Sequence, residues 1–187
     1  MSALNTAGFA HPPRNVAALG IEPGMRIADF GAGSGAYVLA MAERLTNSGT
    51  VYAIDVQRDL LRRIKNDAHR AGYKNIEIIW SDLEVPNGSR IADKHLDLVL
   101  ISNLLFQVDA KDVLIAEARR ILKPDGRLAI VDWSDSYKGM GPHKKDVVKK
   151  EDARGLATEG GFELLREFEA GAHHYGLVFR PINTHHH

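Results

Sequence analysis

Cysteine is absent from all 187 positions, which removes disulfides, thiolate metal sites and cysteine nucleophiles together. A reducing compartment, the cytoplasm, is the expected setting. Neither sign of charge is in excess: 24 Lys and Arg balance 24 Asp and Glu, so no overall field draws the chain to nucleic acid or to an anionic membrane. Long apolar runs are missing as well. The start, MSALNTAGFAHPPR, has no basic stretch leading into an apolar core, and no later segment approaches the ~18 apolar residues of a membrane span. There is no internal repeat and no low-complexity tract. His185, His186 and His187 read as the remnant of a purification tag, so residues 182–187 are set aside as a tail. With 44% hydrophobic residues, positions 1–181 suffice for one core and are short for two, and one domain is expected.

Against those absences stands a regular alternation. Strand-like apolar runs cover Arg26 to Phe30, Thr50 to Val56, Ile76 to Trp80, Leu96 to Ile101 and Arg127 to Asp132. Between them, Leu60, Leu61, Ile64, Ala68 and Ala71 share one helical face, as do Val113, Leu114, Ala118, Ile121 and Leu122. The strands are almost wholly apolar, the pattern of a parallel sheet covered by helices on both faces. Phe162 to Ala170 and His174 to Arg180 are separated only by a few residues around Gly171, too few for a parallel crossover, so they predict an antiparallel hairpin. The expected fold is α/β, Rossmann-like and doubly wound, with a mostly parallel seven-stranded sheet and an antiparallel C-terminal strand. Lys123-Pro124-Asp125-Gly126 reads as a helix stop and turn.

The stretch DFGAGSGAY, Asp29 to Tyr37, places three glycines at alternate positions at the end of the first strand. Gly31, Gly33 and Ala36 fit the dinucleotide pattern G-x-G-x-x-G/A, with Asp55 twenty residues beyond Gly35 for ribose hydroxyls. No Gly-Lys-Ser/Thr follows, which excludes a triphosphate P-loop. Charge separates the remaining ligands. Asp29, two residues before Gly31, would repel a pyrophosphate and attract a cation. A ligand combining an adenosine ribose with an amino group and a sulfonium suits the loop better, and S-adenosylmethionine has those features.

Six segments in order carry a family resemblance: GIEPGMRIADFGAGSG (20–35), TVYAIDV (50–56), WSDLEVP (80–86), LDLVLISNLLFQV (96–108), ILKPDGRLAIVDW (121–133) and the terminal GFELLREF and HHYGLVFRP. The chain resembles the class I S-adenosylmethionine-dependent methyltransferases, in the small-molecule branch that includes quinone-biosynthesis enzymes. The resemblance implies S-adenosylmethionine as cofactor and assigns residues to it. The loop with Gly31, Ala32, Gly33 and Gly35 would pass under the methionine part, Asp29 would answer the amino group, and Asp55 would take the ribose hydroxyls. Val56 would lie against adenine, and the segment Ser81-Asp82-Leu83 would meet it, with Asp82 accepting from its exocyclic amine and Leu83 offering backbone. Ser102 and Asn103 would bring backbone near the sulfonium and the acceptor.

Methyl transfer from a sulfonium is an in-line displacement that needs alignment and dryness and no obligatory acid or base. A phenol, hydroxyl or acidic carbon would want a base, and histidine is suited to that near neutral pH. Of His11, His143, His173 and His174, the first two are the candidates, because Pro12 and Pro142 place them in loops expected at the carboxyl edge of the sheet. Phe106 and Trp133 could line an apolar acceptor pocket. A metal site is not expected, since only Asp132 stands where a metal-dependent enzyme would place its carboxylates. The expected acceptor is a small organic molecule, although only Met1 to Ala28 precedes the loop, which leaves little for a substrate lid. Lys144, Lys145, Lys149 and Lys150 keep an RNA or protein acceptor open, and the glycine pattern keeps a nicotinamide oxidoreductase open. A non-catalytic cofactor-binding module is the remaining alternative.

Overall fold

The apolar runs become seven strands in a computed structural model that describes residues 10–183; the histidines 185–187 lie outside the described residues. In chain order the elements are α1 (Pro12–Ala17), β1 (Arg26–Phe30), α2 (Ala36–Leu45), β2 (Thr50–Asp55), α3 (Arg58–Ala71), β3 (Ile76–Trp80) and β4 (Leu96–Ser102). They continue with α4 (Lys111–Ile121), β5 (Leu122–Trp133), α5 (Lys150–Glu159), β6 (Phe162–Gly171) and β7 (His174–Pro181). The sheet runs β3-β2-β1-β4-β5-β7-β6. β1 to β5 are mutually parallel where they pair, and β7 is antiparallel to both β5 and β6.

Strand alternation builds two cores. Ile27, Leu98 and Leu100 face α2 and α3 with Val38, Met41, Leu61 and Ile64, while Ala28, Phe30, Val99 and Ile101 face α4 and α5 with Leu114, Ile115, Ala153 and Ala157. Helices therefore cover both faces, as the unbroken apolar strands required. Among the described residues no helix is long and apolar enough to cross a membrane.

Two expectations shift. The Lys123–Gly126 turn does not separate α4 from β5, because β5 starts at Leu122 directly after α4. Leu96 pairs with Leu122 and Leu98 with Arg127, so the residues 123–126 stand opposite Asp97 alone and loop out of the strand as a bulge. Lys123 Nζ fastens that bulge to the Asp97 carboxylate at 2.8 Å. The reversed strand is last in the chain, as expected, yet in space it sits between β5 and β6, leaving β6 at the edge.

Candidate functional site

From β1 the sheet order steps outward to β2 and β3 on one side and to β4 on the other, so the carboxyl ends of β1 and β4 diverge into a crevice. The glycine loop lies there. Gly31 N and Ala32 N both donate to Ile54 O at 2.9 Å, tying the loop to the end of β2. Gly33 holds a left-handed backbone (φ 53°) in which its N–H donates to Asp55 Oδ2 at 3.0 Å, and no heavy atom lies closer than 3.9 Å to the position a Cβ would take. Gly35 differs: it begins α2, and a Cβ there would meet Ile64 at 2.5 Å. One glycine leaves open space and the other permits close packing.

Two carboxylates flank the loop. Asp55 accepts from Gly33 N through one oxygen and from Gln57 N through the other, at 2.9 Å, so each oxygen keeps a lone pair for a further donor. Asp29, on the α2 face of β1, is 1% exposed, and its Oδ1 has no partner among the described residues. Burial, reinforced by the negative Asp55, pushes its pKa well above the usual carboxylate range. Nearby, the Tyr37 hydroxyl accepts from Asn15 Nδ2 at 3.0 Å, and burial raises its pKa to about 12. The same Asn15 nitrogen donates to Ala170 O, so α1 is clamped between α2 and the end of β6.

Two cavities meet over the loop and share Gly31, Gly33 and Gln107. One, of about 230 Å³, is lined by Asp55, Val56, Leu60, Ser81, Asp82, Leu83 and Leu104. Val56 stands 57% exposed at its wall, and Ser81 and Asp82 shape its far end. Ser81 Oγ donates to Gly88 O, and Asp82 Oδ1 accepts from Glu84 N at 2.8 Å, so both fix the turn 81–88 on which they sit. The other cavity, of about 280 Å³, is lined by Ala10, Pro12, Ala32, Ser34, Tyr37, Ser102 and Asn103. Among the residues singled out from sequence, Asp29 and Gly35 line neither cavity; the former is buried behind the loop and the latter is covered by Ile64.

The histidine candidates part ways. His11 caps α1, its Nδ1 accepting from Arg14 N at 3.3 Å, and only its neighbours Ala10 and Pro12 line the second cavity. His143 is exposed in a turn and lines neither. Phe106 lines a separate surface cleft with Val148 and Leu156, and Trp133 packs on His174 with ring centroids 4.2 Å apart, so neither forms an acceptor pocket beside the loop. The basic segment is a loop plus the first turn of α5, with Lys150 paired to Glu167 at 3.1 Å.

Three residues beside the site were assigned no role there from the sequence. His174 Nε2 lies 3.1 Å from Asn103 Oδ1, and burial holds the ring pKa down to about 4. Asp132 is fully buried, accepts from Leu105 N and Trp133 N, and is pushed up to about 6 by desolvation. Asn15 reaches Tyr37 and Ala170 from 22 and 155 positions away. The doubled histidine and the strand-ending Asp132 were visible; their partners depend on how the last hairpin folds back.

Comparison with known proteins places this geometry in a family. The profile described as "Methyltransferase domain" matches residues 21–174. A ubiquinone/menaquinone biosynthesis C-methyltransferase UbiE of Cupriavidus necator is 27% identical over 125 residues, 67% of this chain and 50% of that one. The protein of the same name from Bordetella avium is 31% identical over 65% of this chain and 46% of its own. The chain thus spans about half the length of the curated relatives it matches. A crystal structure of a SAM dependent methyltransferase from Aquifex aeolicus superposes with a TM-score of 0.82, covering 91% of this chain and 89% of that one at 24% identity.

Proposed function

Because this chain belongs to the class I S-adenosylmethionine-dependent methyltransferases, of the quinone-biosynthesis-like branch, we propose that it methylates a small hydroxylated aromatic or enolic molecule, at carbon or oxygen. The observation that carries this reading is the pair of cavities meeting over Gly33, with two carboxylates of different character behind them. The residues present fit the cofactor. Asp55 has one lone pair free on each oxygen that would take ribose hydroxyls, Val56 would lie against adenine with Leu83 offering backbone, and Asp82 in the same cavity would accept from the exocyclic amine. Gly33 would present backbone with open space around it, Gly31 leaves room for the packed Leu104 side chain, and Asp29, with a buried Oδ1 that has no partner among the described residues, would complement an ammonium through the loop.

When bound, S-adenosylmethionine supplies an electrophilic methyl group on a positive sulfur. Transfer would join that methyl carbon to an electron pair of the acceptor, with the bonding pair left on the departing thioether of S-adenosylhomocysteine and the acceptor's displaced proton released to solvent. What the chain contributes is alignment and exclusion of water. Ser34, Tyr37, Ser102, Asn103 and Gln107 give the second cavity a hydrogen-bonding lining suited to an oxygenated acceptor. The names of the UbiE relatives support a quinol ring as the first acceptor to try.

The test is calorimetry with S-adenosylhomocysteine and with NADH, followed by turnover on 1,4-dihydroxynaphthalene read by mass spectrometry. Low-micromolar binding of the first ligand alone and a singly methylated product are expected. Cofactor binding with no product from a panel of phenols, enols, RNA and protein would make the chain a binding module, and NADH binding would undo the charge argument at Asp29.

A further inference from the structure

We propose that His174 is a positioning residue for the acceptor: its Nε2–H holds the side-chain oxygen of Asn103, turning the Asn103 amide so that its Nδ2 hydrogens meet an oxygen of the acceptor. The inference rests on the methyl-transfer reading and narrows it to acceptors with a hydrogen-bond-accepting oxygen beside the methylated atom.

The argument is an accounting of polar groups. Asn103 directly follows β4 with a left-handed backbone (φ 51°), a conformation that asparagine tolerates better than most side chains. Its N–H donates to Val131 O at 2.8 Å, and its C=O accepts from Gln107 Nε2 at 2.6 Å. Its Oδ1 faces His174 Nε2 at 3.1 Å. Among the described residues Nδ2 alone has no hydrogen bond, and Asn103 lines the second cavity.

The tautomer of His174 follows from the same accounting. The ring is 6% exposed, lies against Trp133, and has no partner for Nδ1 among the described residues. Burial and the neighbouring His173, opposed by Asp135, keep it neutral above about pH 4, so it carries one N–H. A proton on Nδ1 would be a buried donor with no acceptor. On Nε2 it is paired with Asn103, and only a lone pair is left bare, the smaller cost. Oδ1 is therefore the accepting atom, and the amide cannot flip without breaking that bond. The register pair Trp133 with His174 fixes the ring from the strand side.

The experiment uses the full chain saturated with S-adenosylhomocysteine and titrates 1,4-dihydroxynaphthalene under anaerobic conditions, with naphthalene as the comparison. His174→Phe keeps the contact with Trp133 but removes the donor. It should weaken diol binding roughly 5- to 10-fold, the loss of one hydrogen bond, while S-adenosylhomocysteine affinity stays within about twofold. His174→Gln, which still donates, should restore diol binding to within about threefold of wild type. Asn103→Asp keeps the bond to His174 and replaces the donor by an acceptor, and it should bind the diol least. Nitrogen-15 spectra of the wild type need no variant and should show the neutral Nε2–H form of His174 at about pH 6. An Nδ1–H ring, or diol binding unchanged in both His174→Phe and Asn103→Asp, overturns the inference. A wild type that binds S-adenosylhomocysteine but prefers naphthalene defeats this inference alone, whereas one that binds no S-adenosylhomocysteine defeats the functional reading itself.

Discussion

Burial favours the neutral form of a carboxyl, and Asp29, whose Oδ1 has no partner among the described residues, lies behind the glycine loop with its pKa raised well above the usual range. Its folded pKa is raised above the ordinary 3.8, so the stability it contributes is full below that value and declines as pH rises through the folded one. Asp29→Asn removes the charge. The variant's ligand-free melting temperature should exceed that of wild type at about pH 8, with the gap closing below about pH 4, while S-adenosylhomocysteine binding weakens about tenfold. Thermal scans across pH, paired with calorimetry, check both. Asp132 adds a narrower signature of the same sign. Desolvation lifts it to about 6, so wild-type stability should slip as pH climbs from about 4 through 6, and Asp132→Ala should cost about 1–3 kcal/mol by stranding the amide of Leu105. Sequence alone placed Asp29 and Asp55 at strand ends beside the loop. It did not reveal that Asp55 is already engaged by Gly33 and Gln57, because that bond depends on the register of β1 against β2.

At the scale of elements, the turn from β1 into α2 separates two jobs that three similar glycines conceal. Gly33→Ala faces open space and pays only the left-handed backbone penalty of about 1–2 kcal/mol, so it should fold and lose cofactor affinity. Gly35→Ala adds a clash with Ile64 to that penalty and should lower the melting temperature more while its folded fraction still binds. Chemical denaturation and calorimetry on the two variants distinguish the roles. The short α1 is too brief to be stable alone and depends on Asn15. Asn15→Ala strands the Tyr37 hydroxyl and Ala170 O, and amide exchange in residues 12–19 should accelerate. The period of apolar residues made α3 and α4 legible, since Leu61, Ile64, Leu114 and Ala118 face the sheet. The bulge at 123–126 was legible only as a turn, because Pro124 and Gly126 announce a bend without saying whether the strand resumes around it. The contacts Asn103–His174 and Asn15–Ala170 were not legible, spanning 71 and 155 positions that only the closed sheet brings together.

For the whole molecule, the binding free energy of a ligand that prefers the folded state adds to stability. S-adenosylhomocysteine at about a hundred times its dissociation constant should stabilise the protein by about 2.7 kcal/mol, raising the melting temperature by roughly 5–10 °C, whereas NADH should leave it unmoved. Alternating strands and helices made the doubly wound sheet legible, and the short connection at Gly171 made the closing hairpin legible; the position of β7 between its neighbours was not, since spacing gives direction and not order. That insertion has a consequence for synthesis. A ribosome that has finished β6 but not β7 carries a chain whose β5 edge, Leu128 to Trp133, lacks the strand that pairs with it, and whose β6 cannot join the sheet because β7, its only neighbour among the described residues, has not been made. Until the final strand emerges, that apolar edge is a template for pairing with other nascent chains, so slow translation or truncation across His174–Pro181 should send this protein to aggregates and not to a smaller native sheet.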